Sequence, residues 1–97
     1  MGVCHADDLI YLWNPVFGRG ELPLSEAEIS VRDVMTSAWV NFAIYGEPTP
    51  NGSSLSWTPV KLSGNHQIWN ISDPWPTMTA PTDLWERMKL WDEVMEM

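Results

Sequence analysis

SEAEISVRDVMTSAWVNFAIYG, residues 25–46, is the stretch that decides how this chain is built. Ser25 followed three residues later by Glu28 is a capping box, in which each residue satisfies a backbone N–H at a helix start. Val31, Val34, Met35, Ala38, Trp39, Phe42 and Tyr45 then recur at helical spacing. Gly46 supplies the stop, and Pro48 prevents continuation. The pattern predicts a helix of about 21 residues, roughly 30 Å long. Val40, Ala43 and Ile44 widen its apolar side, so it expects cover from more than one direction.

Weaker elements flank this helix. ADDLIYLW, residues 6–13, predicts a short helix with Asp7 and Asp8 at its N-terminus, where negative charge is favoured. Leu9, Leu12 and Trp13 form its apolar face, and Asn14-Pro15 ends it. Residues 15–24 read as a loop punctuated by Pro15, Gly18, Gly20 and Pro23. Downstream, WTPVKL and QIWNIS predict two short strands joined at Ser63-Gly64-Asn65, the first limited to an edge by Pro59. DPWPTMTAP reads as an irregular arm. From Thr82 a helix resumes, with Leu84, Met88, Trp91 and Met95 on one stripe and Asp83 paired with Arg87 at i,i+4.

The bulk numbers narrow the function. At 97 residues the chain is one domain at most, burying roughly 60–65% of its unfolded surface. Seven tryptophans must be hidden, each bringing on the order of 200 Å². So small a body has few places for them, which points to a piece of something larger or to a surface that docks on a partner. A formal charge of −8 with five basic residues argues against nucleic acid and anionic membranes as partners. One cysteine, Cys4, excludes an internal disulfide. No run of 18 apolar residues and no basic-then-apolar leader is present in the sequence.

His5 is the residue with chemical interest. A Cys4–His5 dyad is disfavoured because adjacent side chains point apart. A metal site from His5, Asp7, Asp8 and His66 lacks a recognisable ligand spacing, and no metal or cofactor is expected. From the residues alone, His5 is a histidine packing near a helix start, and His66 beside a turn is solvated.

Resemblance changes that weighting. GVCHADDLIYLW, residues 2–13, resembles the catalytic-histidine segment of the type-B carboxylesterase and cholinesterase family: Gly-Val-x-His-(Gly or Ala)-x-(Glu or Asp)-(Leu or Ile), then an aromatic-rich short helix. Residues 24–50 are similar to the long helix that follows, with the W-x-x-F-A-x-x-G-x-P ending at Trp39 to Pro48. WTPV, QIWNIS and a final helix carrying LW complete the order, so the likeness covers nearly all of the chain. HADDL is closest to the insect carboxylesterases.

The resemblance implies an α/β-hydrolase C-terminal fragment: residues 1–97 as an incomplete domain, mainly helical with a short two-stranded β element and lacking the main sheet. His5 matches the general base. Asp8 matches a buried acidic position that holds local structure by hydrogen bonds, and Gly2 allows the path into the histidine loop. Leu12, Trp13 and Phe17 are candidate walls of the substrate pocket. No G-x-S-x-G occurs in the sequence. With triad order serine, acid, histidine, the nucleophile and acid are expected before Met1, in the upstream part of the domain that is this chain's partner. The chain alone is then inactive. The parent would cleave a small-molecule ester. It would be secreted or in the ER lumen, where the sequons Asn51-Gly52-Ser53 and Asn70-Ile71-Ser72 matter. Asn51, in a polar loop, is the expected glycan site, whereas Asn70 on a strand face with Ile68 and Ser72 is expected to be less accessible. Two alternatives are a catalytically silent, cholinesterase-like adhesion protein and an independent acidic, tryptophan-rich binding module.

Overall fold

Five elements follow one another: α1 (Leu9–Leu12), α2 (Glu26–Tyr45), β1 (Ile68–Asn70), β2 (Thr77–Thr79) and α3 (Thr82–Met95). They belong to a computed structural model that describes residues 3–13, 24–61 and 66–97. The expected turn at Ser63-Gly64-Asn65 and the loop residue Phe17 lie outside these residues. The regular structure is mainly helical, with one two-stranded antiparallel sheet.

Helix α2 forms for the reasons its sequence carries. Both arms of the capping box are made: Glu28 N–H donates to Ser25 Oγ at 3.3 Å, and Ser25 N–H donates to Glu28 Oε2 at 2.8 Å. Gly46 takes the left-handed conformation at φ 73° and returns its N–H to Phe42 C=O at 2.9 Å. Helix α1 packs against α2. Beyond Gly46 the chain folds back along the helix, held where Asn41 Nδ2 donates to Pro48 C=O at 3.2 Å.

The β element corrects the sequence reading in its pairing. QIWNIS does supply a strand, Ile68–Asn70, but its partner is Thr77–Thr79 from the segment expected to be irregular. The register aligns Ile68 with Thr79, Trp69 with Met78 and Asn70 with Thr77. The connection contains a cis peptide bond at Asp73–Pro74. WTPVKL is not a strand over its described residues, 57–61. The Trp57 N–H that a ladder would need is taken by Thr49 Oγ1 at 2.8 Å, and Pro59 has no N–H to give.

Trp57 instead joins the two halves of the core. Its ring stacks on Trp69 at a centroid distance of 4.6 Å and 27° between planes, and meets Trp39 of α2 at 6.3 Å and 40°. This three-indole ladder ties helix to hairpin. Met35, Ala38 and Trp69 are the buried apolar residues among those described.

Much apolar surface is left bare. Phe42, Ile44 and Tyr45 on α2, and Leu90, Trp91, Val94 and Met95 on α3, are exposed. Helix α3 packs on no other element among the described residues; its Trp85 ring meets His66 edge-on at 5.7 Å. The expected Asp83–Arg87 pair forms at 3.5 Å on its outer face. The chain exposes 8271 Å², about 2,600 Å² more than a compact monomer of its mass. Its radius of gyration is 16.2 Å, against about 12.5 Å for a compact domain of this length.

Candidate functional site

His5 occupies the second position of a four-residue turn, Cys4 to Asp7, that leads into α1. Asp7 N–H donates to Cys4 C=O at 3.3 Å, closing the turn through the backbone. Cys4 N–H donates in return to Asp7 Oδ2 at 2.7 Å. Ala6, in the third position, is left-handed at φ 69°. A turn with positive φ there favours glycine, and an L-residue costs about 1–2 kcal/mol in that region. The local strain therefore sits on the residue directly after His5.

The imidazole is exposed, and no group among the described residues hydrogen-bonds it. Cys4 is free and exposed, and no hydrogen bond joins it to His5, so the two do not form a dyad here. Among the described residues no three His, Cys, Asp or Glu side chains converge to hold a metal ion.

Asp8, matched by resemblance to a buried acidic position, is exposed here. It stands at the N-cap of α1, is exposed, and its carboxylate caps nothing. Its own backbone is already helical, at φ −61° and ψ −29°, unlike the extended conformation from which a capping side chain reaches the free N–H groups. Asp7 provides the hydrogen bond instead. Sequence reading missed it, although an Asp whose side chain closes a turn at a helix entrance is a recurrent device.

Of the expected pocket walls, Leu12 is half-buried and Trp13 is exposed, its N–H returned to Leu9 C=O at 3.0 Å as α1 ends. Two grooves flank α2. One runs beneath Trp75 and Trp69 beside Ala38 and Asn41; the other is lined by Trp39, Phe42, Trp57 and Val60. Neither includes His5, Leu12 or Trp13. Among the described residues, His5 is exposed and lies outside both grooves.

Both sequons are accessible. Asn51 is exposed in a turn where Ser53 N–H donates to Pro50 C=O at 3.0 Å and Gly52 sits at φ 94°. Asn70 is exposed as well, against expectation. Strand alternation turns Trp69 into the core and its neighbours outward.

The described residues thus comprise a short pinned turn carrying a histidine, a strongly capped long helix, a small hairpin and a final helix with exposed apolar residues. The family profile described as "Carboxylesterase family" matches residues 1–85. The chain belongs to the carboxylesterase family. It is 41% identical over 87 residues to juvenile hormone esterase of Tribolium castaneum, an alignment covering 73% of this chain and 14% of that protein. The chain thus spans about one seventh of the length of this curated relative. No solved structure matches it.

Proposed function

We propose that this chain is the C-terminal part of a carboxylesterase-type α/β-hydrolase domain and contributes its catalytic histidine, His5. The observation that carries this reading is that the family match runs through the His5 turn and the whole of α2. In this role the imidazole accepts the proton of a serine hydroxyl as the serine attacks an ester carbonyl. It then delivers that proton to the departing alcohol, and activates water to release the acid in the same two strokes. The serine, the acid that orients His5 and the oxyanion donors come from the rest of the domain, whose sheet covers the bare faces of α2 and α3. Without them the chain binds no ester productively and turns none over.

Leu12 and Trp13 follow His5 closely enough in sequence to wall the pocket once that domain is in place, and Phe17 extends the same segment. The substrate is a small-molecule ester. Among the described residues no helix is long and apolar enough to cross a membrane. Exposed Asn51 in its turn is the glycan acceptor if the parent enters the secretory pathway.

The test is a chimera in which this chain replaces its counterpart in the Tribolium castaneum esterase, assayed on p-nitrophenyl acetate. The chimera should hydrolyse the ester, and His5→Ala should lower kcat by about 10³-fold or more. Turnover within tenfold of the parent chimera removes His5 from the base role. The isolated chain should not label with a serine-directed fluorophosphonate, and labelling would place a nucleophile within it.

A further inference from the structure

We infer that Asp7 is the positioning residue for His5: its carboxylate clamps the turn that aims the imidazole. The inference rests on the proposed role of His5 as the base. A general base has to be held within a fraction of an ångström of its proton donor to act well, yet no side chain among the described residues holds this imidazole directly. Its direction is set by the backbone on which it stands.

That backbone is closed from both sides by one pair of residues. The backbone bond from Asp7 to Cys4 is long, at 3.3 Å, towards the weak end of its range. The bond from Cys4 N–H to Asp7 Oδ2 is short, at 2.7 Å, and its acceptor is a carboxylate, the stronger kind of hydrogen bond. Burial agrees with this division. Asp7 is half-buried while Cys4, His5, Ala6 and Asp8 around it are exposed, so its carboxylate is turned back onto the turn. Ala6 in the left-handed region makes the clamp necessary, because a strained turn opens when its strongest closure is removed. Asp8, the neighbouring acid, makes no such bond and serves as the internal control.

The inference is tested in two ways that fail separately from the base assignment. In the ¹⁵N-labelled 97-residue chain, hydrogen exchange at the Cys4 amide should be slowed relative to an open peptide. Asp7→Ala should abolish that protection, Asp7→Asn should retain most of it through its amide oxygen, and Asp8→Ala should leave it unchanged. In the chimera, Asp7→Ala should lower kcat per titrated active site about 10- to 100-fold, with KM within threefold. Asp7→Asn should recover most of that loss. A purely stabilising role would lower the fraction of titratable sites and leave kcat per site unmoved, which overturns the inference. A Cys4 amide that exchanges freely in the unmodified chain, or equally in the Asp7→Ala chain, overturns it too. If His5→Ala stays active while the Cys4 protection behaves as stated, the base assignment fails and the clamp stands as a structural feature only.

Discussion

Replacing Trp57 by alanine removes the middle ring of the indole ladder and leaves its backbone bond to Thr49 intact, so the effect isolates the side chain. Trp57 is half-buried. Roughly 100 Å² of its apolar surface returning to water costs about 2.5 kcal/mol at 25 cal/mol per Å². The stacked contact with Trp69 at 4.6 Å contributes about 1 kcal/mol beyond burial, and the more distant, tilted contact with Trp39 at 6.3 Å about 0.5 kcal/mol. The sum, about 4 kcal/mol, compares with about 5 kcal/mol for the total stability of a small domain at the low end. A chain whose buried apolar residues, among those described, are Met35, Ala38 and Trp69 belongs at that end. Trp57→Ala should therefore leave the isolated chain about 1 kcal/mol of stability, with roughly 15% of it unfolded in buffer, and Trp57→Phe, which keeps a stacking ring, should lose about half as much. Urea denaturation followed by tryptophan fluorescence gives the midpoints. The far-UV exciton couplet of stacked indoles gives a second readout that needs no two-state transition. A Trp57→Ala chain with an intact couplet, or a loss below about 1 kcal/mol, would refute the claim that the ladder joins α2 to the hairpin.

Three smaller changes probe the backbone. Ser25→Ala removes one arm of the capping box and should destabilise α2 by about 1 kcal/mol, seen as a lower thermal midpoint by circular dichroism; an unchanged midpoint would show that the cap is idle. Gly46→Ala should cost about 1 kcal/mol by strain alone, because a Cβ there meets nothing within 4 Å. Gly46→Asn should cost less, since Asn tolerates the left-handed region better, and equal losses would point to a steric cause. Ala6→Gly should relieve the turn by about 0.5 kcal/mol net of the freedom glycine gains when unfolded. It should slow exchange at the Cys4 amide about twofold, and faster exchange would contradict a left-handed Ala6.

The elements read correctly from the residues are those whose cause lies within a few positions. Ser25 and Glu28 face each other one turn apart, Gly46 needs no neighbour to adopt positive φ, and Asp83 meets Arg87 across one helical turn. The start and end of α2 and the ion pair of α3 were therefore fixed before any tertiary contact was known. The His5 turn was half legible. Its motif marked the place, but which of two adjacent aspartates closes it depends on the backbone conformation: Asp8 is already helical while Asp7 folds back on Cys4.

What only the tertiary structure decided is everything that joins residues distant along the chain. From the residues Ile68–Asn70 could pair with either flank; in the fold it pairs with Thr77–Thr79, while the Trp57 N–H goes to Thr49 and its ring to Trp39 and Trp69. Those contacts span stretches of chain over which local preference carries no information, since their free energy comes from apolar area hidden between separate elements. The same physics explains the exposed stripes of α2 and α3. Their periodicity states in advance that they must be covered, and among the described residues they are left exposed.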